Sequence, residues 1–511
     1  MSLHPLDWLA IAVYLAGMAA MGAYFARHNR DTEEYFVGGR RIPGWAIGLS
    51  MVGTAISSIT FIALPADAYK TYWLRFLPYL FMPAAAAVAA WLVIPFFRRD
   101  RAMTAYEYLE HRFGPSVRAY GAITYIAAQL LRVSFILYLV ALMLHELTGL
   151  DETLCILVAG CFVALYTIAG GIDAVIWTDV IQTLVLIGGS LICLATIVSL
   201  LPGGLGQVFE IAAAHDKFAL GDLEGGRLVR ASWAIDFSQK TIPLMLLMSF
   251  NFFLTDYATG QHAVQRYCAA PSLAEARRAM WTNVLVGVPT WLFYMFLGTA
   301  LFAFFEVFPA PEARAMLEGA AKPEGIVPFF VLGHLPPGVA GLVIAAALAA
   351  GMSSLDSSIN AISTVFLVDL YKRHWVKDAD DRHYLHVAWL AGGVASLAML
   401  GGAVWMLTAE GPSLQDISIR LTAVLGGGLL GIYLMGFLTR RGDARAVWCG
   451  IAATLVYTLW TTGFLPVAVP APFDLYYAAI FGNLAMFVVG YLGALVLPRR
   501  EPLRQGLSLR D

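Results

Sequence analysis

Residues 44–68 read GWAIGLSMVGTAISSITFIALPADA, and residues 346–373 read AALAAGMSSLDSSINAISTVFLVDLYKR. Each is apolar enough to cross a membrane, yet each carries polar groups that lipid cannot satisfy. In the first, Gly48, Ser50, Gly53, Thr54, Ser57, Ser58 and Thr60 crowd ahead of Pro65. Such small residues also serve plain close packing between helices. Hydroxyls beside glycine and before proline equally suit a discontinuous helix, whose unwound carbonyls ligate Na+ and whose second half points a positive N-terminus at an anion. The second stretch supplies Ser353, Ser354, Asp356, Ser357, Ser358 and Asn360. Paired hydroxyls beside free carbonyls give a hard cation its oxygens without burying net charge, whereas a carboxylate such as Asp356 is costly in a span unless paired and reads as functional. Asp179, in VIWTDVIQTL, is a third polar span residue. With Asp356 it offers a second cation position; the plain alternative is a helix cap at the cytoplasmic interface.

The composition fits such segments. Of 511 residues 59% are hydrophobic and 13% charged, with mean hydropathy +0.71. That excludes a soluble enzyme, a nucleic-acid binder and a disordered chain. Apolar stretches fall at 1–27, 44–66, 74–97, 117–146, 151–170, 174–201, 236–260, 278–306, 337–368, 384–409, 414–439, 443–466 and 474–497, so an all-α polytopic membrane protein with about 13 transmembrane helices is expected. The first stretch has no basic leader and no cleavage site and reads as a retained helix rather than a signal peptide. Alternate connecting segments carry 23 Lys/Arg against 7, the richer set including Arg112, Arg118, Arg266 and Arg373. By the positive-inside rule the N-terminus is outside and the C-terminus cytoplasmic. Both long loops, 202–235 and 307–336, are then outer, and GIVPFFVLGHLPPG in the second reads as an interfacial helix or a lid. There is no phosphate-binding glycine loop, so an ion gradient is the expected energy source. Cys155, Cys161, Cys193, Cys268 and Cys449 form no CxxC pair and read as small apolar fillers. His145, His262 and His334 lie in separate regions, so no enzyme is expected.

Arg132 sits deep in ITYIAAQLLRVSFILYLVALML, residues 123–144. Snorkelling is the ordinary fate of an arginine in a span, but at this depth the headgroups are out of easy reach. A guanidinium there suits a bidentate clamp on a substrate carboxylate. Tyr69, Tyr72, Trp73, Arg75, Phe76 and Tyr79 could close over a ligand or form an interfacial aromatic belt. Asn251, Thr255, Asp256, Tyr257, Thr259 and Gln261 are candidates for the opposite wall, with Asp256 expected to pair with Arg132 when the pocket is empty.

At these residues the chain resembles the sodium/solute symporter family. The likeness runs through YFVGGRRIPGWAIGLS (35–50), TAYEYLEHRFG (104–114), YTIAGGIDAVIWTDVIQT (166–183), GQHAVQRY (260–267) and SSLDSSINAISTVFLVDLY (353–371). Single pieces are weak signals, and five in family order are strong. The resemblance implies one membrane transport domain over 1–511 with an inverted five-plus-five helix repeat. A peripheral first helix (1–27) precedes the core (44–260 with repeat one, 236–440 with repeat two), and two peripheral helices (443–497) follow. It implies a main Na+ site from the carbonyls of Gly53, Ile56 and Ala350 and the hydroxyls of Ser353 and Ser354. A second Na+ would use Asp179 with Ser353, Ser354 and Ser357, Asp356 being an extra carboxylate where relatives carry serine. In the sialic-acid branch an arginine at the place of Arg132 binds the sugar's carboxylate, with hydroxyls that match Ser57 and Thr60, and neutral-sugar members lack it. Tyr79, Asn251, Thr255 and Gln261 complete the expected substrate set. The expected function is sodium-coupled symport of a small organic solute into a bacterial cell across the inner membrane, the solute bearing a carboxylate as in sialic acid or a monocarboxylate. The alternative is a neutral sugar or polyol. Partners are the solute, Na+ and the lipid bilayer; no nucleic acid and no obligate protein partner are implied.

Overall fold

Prolines, glycines and capping side chains decide where the apolar runs of this chain begin and end as helices. The computed structural model describes residues 3–27, 31–99, 102–224, 227–408, 420–421, 423–465, 471–497, 499 and 506–509. The first part runs α1 (Pro5–Ala26), α2 (Thr32–Val37), α3 (Gly44–Ala55) and α4 (Ser58–Lys70). A span over Trp73–Arg98 follows, containing α5 (Met82–Val88) and the start of α6 (Ile94–Arg99). Then come α7 (Ala105–Phe113), α8 (Pro115–Thr148), α9 (Glu152–Leu200), α10 (Gly204–Ala214) and the strands β1 (Gly221–Glu224) and β2 (Arg227–Arg230). The second part runs α11 (Ile242–Thr259), α12 (Gln261–Cys268), α13 (Leu273–Val307), α14 (Pro311–Glu318), α15 (Ile326–His334) and α16 (Val339–Val365). α17 (Asp381–Thr408), α18 (Leu429–Leu438), α19 (Ala444–Thr461) and α20 (Ala478–Val496) end it. Prolines open α1, α8, α11 and α14, where the missing N–H is not needed. Thr104 and Glu107 form a capping box on α7.

Among the described residues nine helices are long and apolar enough to cross a membrane, ten if the bent pair α3–α4 is one span. The count of thirteen is therefore not reproduced, and the differences have physical causes. Runs 151–170 and 174–201 follow one another without a loop in α9, broken at Gly171; its 49 residues would rise about 74 Å if straight, more than twice the roughly 30 Å apolar core of a bilayer. Part of the expected helix 414–439 lies outside the described residues, and the apolar helix Ala423–Leu438 is short. The loop 202–235 is not purely helical either. Within it β1 and β2 pair antiparallel, Gly221 opposite Arg230 and Glu224 opposite Arg227.

α16 is the buried axis. It packs on α9, α1, α8 and α3, and almost every residue from Ala340 to Val365 is inaccessible. Its N-terminal turn is capped by α1, where Asp7 Oδ1 accepts from the N–H groups of Gly338 (2.7 Å) and Gly341 (2.8 Å). At the other end Arg118 bonds Asp369 (2.7 Å) and Glu110 (2.8 Å), and Arg373 bonds Glu110 (2.6 Å). Arg112 is fully buried and donates to the carbonyls of Thr439 (2.8 Å), Arg441 (2.8 Å) and Gly442 (3.1 Å). Several arginines that charge patterning treats as loop residues are therefore internal ties.

Gly171 marks the break inside α9, at φ 60° and ψ −160°, a region that only glycine occupies without strain. An added Cβ would lie 2.8 Å from the Tyr35 carbonyl oxygen. Gly171→Ala is expected to cost on the order of 1–3 kcal/mol from backbone strain alone, read as a lower thermal unfolding midpoint of the purified protein in detergent. An unchanged midpoint would show that this break does not need glycine.

Candidate functional site

α3 stops at Ala55 because Ile56 (φ −94°, ψ 97°) and Ser57 (φ −89°, ψ 174°) are extended, and α4 restarts at Ser58. The two halves are bent by 58°. A helix that stops inside the protein leaves its last carbonyls without N–H partners. Here α16 faces them. Ser353 Oγ donates to the Gly53 carbonyl (2.8 Å) and lies 3.3 Å from the Ala350 carbonyl, while Ser354 Oγ donates to the Thr54 carbonyl (3.0 Å). Three of the oxygens expected at the main Na+ site, from Gly53, Ala350 and Ser353, thus converge, with Ser354 beside them and Ile56 buried at the break. They are neutral carbonyl and hydroxyl oxygens, a donor set that fits Na+. The approach is close because residue 53 is glycine: a Cβ there would lie 2.6 Å from Thr183 Oγ1 on α9.

The residues expected at a second cation position divide among three sets of partners, two of which Ser357 joins. Asp179 is fully buried, and its Oδ2 accepts from Arg266 Nη2 (2.7 Å) and Ser50 Oγ (2.6 Å). Ser357 Oγ also meets Arg266 Nη2, at 2.5 Å, and Thr54 Oγ1 at 2.8 Å. Asp356, equally buried, accepts at Oδ2 from Tyr166 Oη (2.7 Å) with Thr178 Oγ1 3.5 Å away, and at Oδ1 from the Ser357 N–H (2.5 Å) with Ser357 Oγ 3.3 Å away. Ser353 and Ser354 stay with the α3 carbonyls.

Among the expected substrate residues, Arg132 is half-buried on α8 and makes no ion pair or hydrogen bond among the described residues. One turn before it, Gln129 accepts from Ser358 Oγ of α16 at 3.2 Å. Thr60 is buried in the first turn of α4, and Ser57 stands at the N-cap position of that helix with no side-chain capping bond among the described residues. Tyr79 stacks on Trp291 with centroids 4.5 Å apart. Thr255 Oγ1 bonds the Asn251 carbonyl at 2.6 Å. Two residues stand apart: Asn251 Oδ1 accepts from Asn483 of α20 (3.1 Å), and Gln261 spends its amide on Ala105 N–H and the Met103 carbonyl, both at 2.8 Å. Asp256 pairs with His262 Nε2 at 3.1 Å, not with Arg132, because the start of α12 brings the imidazole alongside it. Tyr125 Oη lies 3.3 Å from the other ring nitrogen of His262. Sequence patterning missed Arg266, His262, Gln129 and Tyr166. For Arg266 the only signal was its place in GQHAVQRY, where it was counted as a loop charge.

Comparison with known proteins gives a consistent picture. Residues 35–453 match the model of the Sodium:solute symporter family. The sodium/sialic acid symporter NanT of Aliivibrio fischeri is 31% identical over 493 residues, covering 96% of this chain and 94% of that one. The sodium/sialic acid symporter SiaT of Proteus mirabilis is 31% identical over 514 residues, covering 100% and 99%. The solved structure of a Na+-coupled sialic acid symporter, substrate-bound and outward-open, superposes with a TM-score of 0.87 at 29% identity, over 98% of this chain and 99% of that one.

The convergence of Gly53, Ala350, Ser353 and Ser354 generates a direct test. Replacing Ser353 and Ser354 together by alanine is expected to abolish stabilisation by NaCl, relative to KCl, in a thermal unfolding assay, and to leave the K+ baseline within a few degrees of the parent. Retained Na+ stabilisation in the double variant would place the ion elsewhere.

Proposed function

The chain belongs to the sodium:solute symporter family and imports a small organic solute with at least one Na+; from that premise we propose that the solute carries a carboxylate and that Arg132 binds it. The observation that carries this reading is a half-buried guanidinium midway along α8 with no anion of the protein bonded to it among the described residues. An arginine in that position is stabilised when an anionic ligand arrives. The first turn of α4 adds unpaired N–H groups and the positive end of a helix dipole, with Ser57 and Thr60 as hydroxyl donors. Tyr79, stacked on Trp291, and Thr255 complete the pocket in this reading. The relatives named for sialic acid support the same class.

The cycle follows from one shared element. Na+ enters from outside among the carbonyls of Gly53, Ile56 and Ala350 and the hydroxyls of Ser353 and Ser354, and holds the α3–α4 break against α16. The solute then binds on the α4 side of the same break, the pocket closes, and both leave toward the low-sodium cytoplasm. Coupling requires only that each prefers the closed arrangement when the other is present. A potential of 100 mV adds about 2.3 kcal/mol per net charge moved. Thirteen spans, with the N-terminus outside and the C-terminus cytoplasmic, remain our topology: Glu152–Leu200 is long enough to cross twice, and Ala444–Thr461 and Ala423–Leu438 would be the further crossings.

Arg132→Ala is expected to remove a charge-assisted contact of about 1.5–3 kcal/mol, lowering affinity for a carboxylate solute roughly ten- to a hundred-fold. Arg132→Lys should recover little, since an ammonium cannot offer two parallel donors. Na+ binding should persist in both, because its ligands lie on α3, the break and α16. Calorimetry with N-acetylneuraminate and a panel of monocarboxylates and neutral sugars tests this. A preferred neutral sugar, or unchanged carboxylate affinity in Arg132→Ala, would favour the neutral-solute alternative.

A further inference from the structure

Arg266 is the only charged side chain of α12, and it is 1% exposed. Its guanidinium reaches acceptors on four elements. Nε donates to Ser50 Oγ of α3 (2.7 Å), and Nη1 donates to the His262 carbonyl within α12 (2.7 Å). Nη2 faces Asp179 Oδ2 of α9 (2.7 Å), Thr54 Oγ1 of α3 (2.8 Å) and Ser357 Oγ of α16 (2.5 Å). One carboxylate and two hydroxyls around a single positive nitrogen make a cation cage, and the cation in it is covalently part of the chain.

Asp179 and Ser357 are the anionic and hydroxyl members of the second Na+ position that the family resemblance implies. In this chain Asp179 Oδ2 and Ser357 Oγ both bond Arg266, and Ser357 Oγ also lies 3.3 Å from Oδ1 of Asp356, a second carboxylate beside the cage. The remaining hydroxyls expected there, on Ser353 and Ser354, bond the carbonyls of Gly53 and Thr54. Asp179 Oδ1 has no partner among the described residues, but a bare ion placed on it would sit beside a guanidinium already bonded to the same carboxylate. Like charges so close, shielded from water, repel strongly. These residues do not fit a second Na+ while Arg266 is in place.

We infer that the Arg266 guanidinium is the resident occupant of the second cation position, so that this transporter binds Na+ at the main site alone. The inference rests on the sodium-symport reading and deepens it. It also gives Arg266 a positioning role: a fixed positive charge ties α3, α9, α12 and α16 together continuously, where a dissociable ion would tie them only when sodium is bound.

Equilibrium binding of radiolabelled Na+ to the purified full-length protein, with choline holding ionic strength constant, counts ions per chain. The parent is expected to saturate at one, and Asp179→Asn also at one, because Asp179 ligates no Na+. Arg266→Gln removes the guanidinium from Asp179 Oδ2 and from the hydroxyls of Thr54 and Ser357, and is expected to saturate at two. Combining it with Asp179→Asn should return the count to one. Two ions in the parent, loss of an ion in Asp179→Asn, or a folded Arg266→Gln that still binds one would each overturn the inference. Should Arg266→Gln fail to fold, the parent and Asp179→Asn decide the matter. Failure of the underlying reading looks different, since a parent that binds no Na+ would discard sodium coupling itself.

Discussion

Everything polar at the centre of this protein follows from carbonyl oxygens that α3 cannot use. Extended residues at Ile56 and Ser57 end the helix in the interior, away from water. Buried carbonyls demand donors, and the serines of α16 answer that demand at 2.8 Å and 3.0 Å. Such bonds are replaceable. In the proposed reading, a hydroxyl that donates to a carbonyl would turn its lone pairs to a cation, and the carbonyl would do the same, so that binding needs little rearrangement. The close approach of α3 to α9 at Gly53 keeps these oxygens in register.

Around that centre the structure separates charges that must stay from charges that can leave. Arg118 with Asp369 and Glu110, and Arg112 among the carbonyls near Thr439, tie the C-terminal end of α7, the start of α8 and the segment after α16 with partners that are all protein. Breaking a buried pair on one side is far more costly than never having had it, so such groups behave as permanent ties. Arg132 differs in kind. It lies at mid-helix with no ion pair or hydrogen bond among the described residues, and in the proposed reading its charge is met by the solute.

How much of this could be read from the chain depends on the range of the signal. Hydroxyls crowded beside Gly53 and before Pro65, and the pair Ser353–Ser354, are local patterns in segments that must cross lipid, and they pointed to a broken helix facing a serine-bearing one. The depth of Arg132 in its span is a local signal of the same kind, and its role toward the solute belongs to the proposed reading. Gln261 and Asn251 were not, because their amides are taken by Met103, Ala105 and Asn483, far away in sequence. Arg266 was hidden by the charge count itself: an arginine between two apolar runs looks like a loop residue until the fold shows that α12 turns it inward. Gly171 lay within a quoted motif, yet only its left-handed φ shows why the two halves of α9 join without a loop.

The same geometry explains why coupling needs no relay across the protein. In the proposed reading the ion touches the C-terminal end of α3 and the solute touches the N-terminal end of α4, and a single unwound turn joins them. A ligand shifts an equilibrium only by its preference for one state over the other. When both ligands draw their preference from the angle of one break, stabilising that angle for one stabilises it for the other, and the coupling is reciprocal by necessity. Arg266 bonds Ser50 and Thr54 on the ion side of that break and leaves the α4 side alone. In the proposed reading the fixed cation therefore steadies the α3 side of the break, the side that holds the ion, and leaves the α4 side to respond to the solute.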